Sequence, residues 1–512
     1  MTCLYKEVVE SKNGLEIPVY NSGRAAHSKY DPRREAEAFG QEASGSFAVI
    51  LGIAGGFHIE SLLKRNPGCK IIAVEKSAAD LEWLKKNIPL ATELEKNPGV
   101  IFCAADSSSP HALENILIQN YFPAHYGAIN ILPLRSWLQE NQDGCDKIVE
   151  RIKSALKEIS ADYSTQAHFG RLWAKNIFCN LSVLKKIQES GQKPFSLSES
   201  DLQKTAAIIA AGPSLDESAK AIQESREKYF VIATDTALKV FGRRKIKVDA
   251  VVSLDAQCLS AEHFNGAVCG DTIFALDLAA NPSIAKYAQR KNAKILFYNS
   301  GHPLASFASG FCKAPFARLE SGGGTVAICA ADFAMQCGFA KIKIFGADFG
   351  YSNGKPYAKG TYLDDLYMAG QTRIHNAESL FTKLMFRTEL NKNQRGFLQS
   401  PTLLRYQSTM EEFLGGYNWH DNVYEWQGKN VPQKAQNLFE ANSLDFAALK
   451  KEIEACAQAL DSEDAFTPQE CLLLPEMAYW RQKMDKNGQN KISTKEIKKL
   501  ALNKILLYNK LL

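Results

Sequence analysis

The sequence predicts an α/β protein with a Rossmann-like N-terminal domain, a central doubly wound α/β domain and a helical C-terminal domain. Three observations carry that reading. Short apolar runs of buried-strand type come in two series, "FAVIL", "KIIAVE", "VIFCAAD", "AINILPL" and then "TAAIIA", "YFVIAT", "DAVVSL", "TIFAL", "KILFY", "KIKIF". Helical patterns, with apolar residues at three- to four-residue spacing, alternate with them. Beyond about residue 430 the chain turns helical and Lys-rich.

Taken in order, "FAVIL" at 47–51 runs into "GIAGGFHIESLLKRN", a glycine turn and a helix, and "KIIAVE" closes a β-α-β unit. Gly52, Gly55 and Gly56, followed by Glu75, resemble a nucleotide or S-adenosylmethionine fingerprint. The pattern is nevertheless G-x-x-G-G, and bulky Phe57 and His58 follow it. This first domain is expected over 1–145. A helical connector ("CDKIVERIKSALKEI", "LWAKNIFCNLSVLKKIQES") over 146–203 closes with the linker-like "GQKPFSLSES". The second strand series defines a domain over 204–425, and 426–512 forms the helical C-terminal domain.

Composition narrows the function classes. The chain has 512 residues, several times the ~100 to 200 of a usual domain, so each domain can bury its own core. Sixty-one Lys and Arg against 56 Asp and Glu leave a formal charge of +5 that is spread along the chain, which does not indicate nucleic acid as a partner. The opening lacks a basic segment followed by an apolar core, and no apolar run approaches the ~20 residues of a membrane span. Twelve cysteines at irregular positions, with no C-x-x-C pair and no Cys/His cluster, read as free thiols in the cytosol and argue against a structural zinc site. No metal ligand set is expected.

In open parallel sheets ligands bind beyond the carboxyl ends of the strands. In the second series nearly every such end is polar. Gly212, Pro213 and Ser214 form a turn opening a helix, where unpaired N–H groups and the helix dipole favour an anion. Asp235 follows "YFVIAT", Ser253, Asp255 and Gln257 follow "DAVV", and Asn299 and Ser300 end "KILFY". Gly324 and Thr325 open another helix, and Gly346, Asp348, Tyr351 and Tyr357 fall in "GADFGYSNGKPYAKGTY". Any one of these is an ordinary turn or N-cap; six polar ends on one rim make a substrate-binding site.

In this order, "IIAAGPSLDE", "IATDTALK", "VVSLDAQ", "GGGTVAICAADFA" and "FGADFGYSNGKPYAKG" resemble the motility accessory factor family. These are bacterial glycosyltransferases taken to attach pseudaminic or legionaminic acid, both nonulosonic acids, to Ser and Thr of flagellin. "LGIAGGFHIESLLKR" and "FLQSPTLLRYQSTMEEF" extend the likeness over most of residues 45–415. The central part is also similar to bacterial CMP-sialic acid transferases, which implies a sialyltransferase-like catalytic domain over 204–425. That resemblance implies a CMP-activated nonulosonate as donor, no permanently bound cofactor, and a structural N-terminal domain. It carries two phosphate-holding tyrosines onto Tyr351 and Tyr357. A phenol O–H can stabilise the charge growing on a leaving phosphate without ionising. The chain departs from the transferases at Ala211 and Asp235, where they have Asn. His375, in "QTRIHNAESL", is the candidate general base, with an ordinary surface histidine as the alternative.

Two other functions remain open from sequence. Archaeal pterin pyrophosphokinases share the "AGPSLD" and "SLDAQ" motifs, in which case Asp235 and Asp255 would hold Mg²⁺ for ATP. A non-catalytic flagellin-binding protein is the other. "DKNGQNKISTKE", Asp485 to Glu496, has the length of a calcium loop but only two carboxylates, and reads as a helix-turn-helix without metal. The sequence leaves the metal requirement and the oligomeric state open.

Overall fold

The computed structural model describes residues 3–41, 45–106, 111–191, 196–265, 271–428, 443–462, 466–486 and 493–512. The chain is α/β and divides into two compact units: Met1–Arg171 with Ala457–Lys504, and Leu172–Cys456 with Ile505–Leu512. The C-terminal helical segment is thus shared between the two. Among the described residues no helix is long and apolar enough to cross a membrane, and the described cysteines are all free thiols.

In the first unit the hairpin β1 (Tyr5–Glu10) and β2 (Glu16–Tyr20) precedes a four-stranded parallel sheet. Its strands are β3 (Phe47–Leu51), β4 (Lys70–Glu75), β5 (Val100–Ala104) and β6 (Ile129–Pro133), in the order β5-β4-β3-β6. β3 is buried along its whole length, as continuous Phe-Ala-Val-Ile-Leu requires of a strand covered on both faces. The first hairpin escapes the periodicity because Tyr5–Glu10 mixes charged and apolar residues without a clean alternation.

The second unit is built on one eight-stranded sheet. Its parallel strands are β7 (Thr205–Ile209), β8 (Tyr229–Thr234), β9 (Ala250–Ser253), β10 (Ile273–Asp277), β11 (Lys294–Tyr298) and β12 (Lys341–Phe345). A short pair, β13 (Asn391–Lys392) and β14 (Leu398–Gln399), lies outside the sheet. Strands β15 (Asn418–His420) and β16 (Val423–Gln427) add an antiparallel edge beside β12. The order is β11-β10-β9-β8-β7-β12-β16-β15. β15 and β16 are absent from the sequence reading because Asn418–His420 is only three residues long and "VYEWQ" mixes polar with apolar residues instead of forming an unbroken apolar run.

The helix Gln142–Glu189 contributes two asparagines one turn apart to this second unit. Asn176 donates from Nδ2 to the carbonyls of Ala256 (3.1 Å) and Ala279 (3.0 Å), and Asn180 to those of Leu278 (2.8 Å) and Ala280 (2.9 Å). Both amides are buried. They satisfy loop carbonyls after β9 and β10 that have left the sheet ladder.

Candidate functional site

The strand order creates one topological switch. From β7 the chain steps outward through β8, β9, β10 and β11, then returns to the opposite side of β7 as β12. The loops leaving β7 and β12 therefore diverge and leave a crevice between them. At its base the backbones nearly touch. Gly346 has φ +69°, and a Cβ there would lie 2.2 Å from the Ala210 carbonyl oxygen. The Gly212 amide donates to the Gly346 carbonyl (2.8 Å). The Ser214 amide donates to Asp348 Oδ2 (2.8 Å) and its hydroxyl to Asp348 Oδ1. Burial pushes the Asp348 carboxyl up and the Ser214 bonds oppose it. Asp348 is thus a tie between two loops.

Above this tie lies a cleft of about 450 Å³. Tyr351 and Tyr357 line it, on a loop pinned at both ends. The Tyr351 amide donates to the Leu398 carbonyl (2.8 Å), the Leu398 amide donates back (3.0 Å), and the Ala358 amide donates to the Ala211 carbonyl (2.9 Å). Burial raises both phenols and the Arg387 guanidinium opposes that rise, so near neutral pH both remain O–H donors.

Residues at the starts of four helices also line the cleft: Gly212 before Leu215–Glu224, Thr234 and Thr236 of Asp235–Arg243, Thr325 capping Val326–Cys337, and Ser400 capping Pro401–Leu414. Each start presents the positive end of a dipole, although at Leu215–Glu224 the amides of Gly212, Ser214, Leu215, Asp216 and Glu217 are already paired within the protein. Arg387 adds a full positive charge and has no ion-pair partner among the described residues. Among those residues the one carboxylate lining the cleft is Asp348, already committed to Ser214. Helix ends, phenols, hydroxyls and one guanidinium together suit an oxyanion with a polar, hydroxyl-rich body.

Of the residues singled out from sequence, the cleft brings together Gly212, Gly324, Thr325, Gly346, Asp348, Tyr351 and Tyr357. Pro213 and Ser214 line an adjoining pocket instead. Asp235 and Ser253 are buried together outside the lining: Asp235 Oδ2 accepts from the Ser253 hydroxyl (2.7 Å) and Oδ1 from the Thr236 amide (2.7 Å). Asp255 accepts from the Gln257 amide (2.9 Å), and burial raises its carboxyl. Gln257 is exposed. Asn299 donates to the Ser306 hydroxyl (2.8 Å) and accepts from the Gly301 amide (2.8 Å), while the Ser300 amide donates to Asp277 Oδ2 (2.8 Å). These residues build turns. His375 lies exposed between the helices Tyr362–Ala369 and Ala377–Met385, its amide donating to the Thr372 hydroxyl (3.0 Å), and it does not line the cleft.

Sequence reasoning missed Arg387, Thr388, Ser400, Thr402 and Tyr406, all in the lining. Ser400 was readable, since Ser-Pro before "TLLRYQ" is an N-cap with proline at the first helical position. Arg387 carries no local signal. No group of three or more His, Cys, Asp or Glu among the described residues is arranged to hold a metal ion. Residues 487–492 of the calcium-loop pattern lie outside the described residues; Glu496, its last position, accepts from the Ser493 amide (2.9 Å) as part of a helix cap.

The glycine turn of the first unit is filled by protein. A Cβ on Gly52 would lie 2.4 Å from Trp137 Cγ. Glu75, placed where a dinucleotide-binding acid would meet a ribose, accepts from Tyr5 Oη (3.1 Å), the Ile53 amide (2.9 Å) and the Trp137 indole. The Gly55 amide donates to His27 Nε2 (3.0 Å).

The fold is α/β, with a largely parallel sheet in each unit. The solved structure of the MAf glycosyltransferase from Magnetospirillum magneticum AMB-1 matches over 100% of this chain and 91% of its own, with a TM-score of 0.52 at 13% identity, a likeness of fold. Residues 174–354 match the family model described as 6-hydroxymethylpterin diphosphokinase MptE-like. Among curated proteins, one uncharacterized protein of Treponema pallidum (strain Nichols) is 36% identical over 148 residues, 28% of this chain and 52% of that protein. A second from the same organism is 32% identical over 149 residues, 29% of this chain and 68% of that protein. The chain belongs to the family of this second Treponema protein, and spans about half the length of the first.

Proposed function

We propose that the chain is a glycosyltransferase that moves a nonulosonic acid of the pseudaminic or legionaminic type from its CMP-activated donor to Ser or Thr of flagellin. The observation that carries this reading is the convergence of Tyr351, Tyr357 and Arg387 on the switch-point cleft, which residues at the starts of four helices also line. Cleaving a glycosyl phosphate builds negative charge on the leaving phosphate and oxocarbenium-like charge on the sugar. The two phenols and the guanidinium receive the former as donors that need not ionise. The helix that starts at Thr325 and the hydroxyls of Ser400 and Thr402 are available to the sugar carboxylate and its hydroxyl groups. The likeness of fold to the MAf glycosyltransferase supports the reading. The reaction belongs in the cytoplasm, where CMP-sugars and unassembled flagellin meet.

The match of residues 174–354 favours a second reading, a pterin diphosphokinase using ATP and Mg²⁺. Its metal ligands would be Asp235 and Asp255. Asp235 already accepts from Ser253 on one oxygen and from Thr236 on the other, so Mg²⁺ would have to share a buried carboxylate whose oxygens each already hold a hydrogen bond.

Calorimetric titration in EDTA separates the two. The transferase reading expects CMP to bind, and Tyr357→Phe to weaken it about tenfold through loss of one hydrogen bond to a charged group. Silence toward CMP, with ATP binding once Mg²⁺ is restored, would transfer the assignment to the diphosphokinase.

A further inference from the structure

Tyr351 lines a second pocket besides the cleft, of about 370 Å³, into which Glu217 and Arg395 also face. The two charges differ in how they are held. Arg395 is committed: its guanidinium donates to Glu411 (2.6 Å) and to the Tyr424 hydroxyl, and lies 4.2 Å from the centre of the Trp419 ring. Glu217 is exposed and has no hydrogen bond or ion pair from its side chain among the described residues.

That freedom runs against the local sequence. Ser214-Leu215-Asp216-Glu217 spells a capping box, in which the glutamate should reach back to the serine amide while the serine hydroxyl caps the helix. Asp348 has taken both partners: it accepts from the Ser214 amide at 2.8 Å and from the Ser214 hydroxyl. A residue from the loop after β12 thus does the capping, and the glutamate supplied for that task is left facing the pocket. In the first turn of Leu215–Glu224 its negative charge is tolerated by the dipole without a partner.

We propose that this pocket receives the acceptor alcohol and that Glu217 is the general base for the transfer. The inference rests on the transferase reading above. The acceptor O–H gives its proton to the Glu217 carboxylate as its oxygen bonds to the anomeric carbon. The bond from that carbon to the phosphate oxygen breaks, and its electron pair leaves on CMP, where Tyr351, Tyr357 and Arg387 meet the charge. The products are the glycoside, CMP and a protonated Glu217. Tyr351, in the lining of both pockets, stands where leaving group and acceptor are closest.

The test uses the full chain with CMP-pseudaminic or CMP-legionaminic acid and flagellin. Glu217→Gln keeps the shape of the helix, and should lower flagellin-dependent CMP release about 100-fold while calorimetric CMP affinity stays the same. Glu217→Ala should regain part of the lost rate when formate is added, which a merely structural glutamate would not allow. Glu217→Gln with transfer within threefold of the parent, or Glu217→Ala unresponsive to formate, overturns the proposal while leaving the transferase reading intact. Lack of CMP binding by the unsubstituted chain overturns both.

Discussion

On the proposed transferase reading, the chemistry rests on three donors lining one cleft, Tyr351, Tyr357 and Arg387. Removing a single preorganised donor from a developing oxyanion costs about 100- to 1,000-fold in rate. Tyr357→Phe is therefore expected to slow CMP release by about that factor, and Arg387→Ala by at least as much. Arg387→Lys should recover only part, because a point charge cannot reproduce a planar fork. Steady-state rates with the CMP-sugar donor check all three, and an Arg387→Ala variant of full activity would remove the guanidinium from the site. A different single-residue effect belongs to His58, buried in the first unit with Nε2 bonded to the Gly52 carbonyl (3.0 Å). Burial lowers its pKa from 6.5 to about 4. The folded state therefore binds this proton less readily than the unfolded chain. The corresponding stability is present above pH 6.5 and is lost as pH falls through about 4. At about pH 5 the loss amounts to about 2 kcal/mol. Urea unfolding of the parent and of His58→Gln, which keeps a donor for Gly52, should show the parent losing more stability between neutral pH and about pH 5. Glu75, raised to about 7 by burial, acts in the opposite direction and is common to both proteins.

Among the elements, the loops that leave β7 and β12 matter most. Their approach depends on Gly346, whose φ of +69° and 2.2 Å approach to the Ala210 carbonyl leave no room for a side chain. Gly346→Ala should destabilise the second unit by at least about 2 kcal/mol from backbone strain alone, read as a lower urea midpoint. The helix bearing Asn176 and Asn180 is a second case. Asn180→Ala strips two buried carbonyls, those of Leu278 and Ala280, of their donor, and is expected to cost about 2 kcal/mol or more. Both strand series were legible because parallel strands covered on both faces are written as unbroken apolar runs, such as "FAVIL" and "TAAII". The antiparallel edge of β15 and β16 was not, since an edge strand is chosen by what it pairs with. The capping box at Ser214 shows the opposite failure: the local pattern is present, but a tertiary partner, Asp348, outcompetes it.

Across the whole molecule, two nucleotide-type sheets have had different fates. In the first unit Trp137 and His27 pack on the glycine turn, and Tyr5, Trp137 and the Ile53 amide satisfy Glu75; in the second the switch point stays open as a cleft. Titration with S-adenosylmethionine is accordingly expected to give no heat, and a micromolar affinity would show that the first turn opens. The sequence by itself determined the α/β class, the ten principal parallel strands and the glycine and tyrosine motifs of the cleft, because strand pattern and turn chemistry are local properties. Only the tertiary structure decided that Asp235 and Ser253 bond to each other, that His375 stands apart from the cleft, and that Arg387 enters it. Whether a side chain reaches a site depends on where distant loops return, and a residue's neighbours in space are not written in its neighbours along the chain.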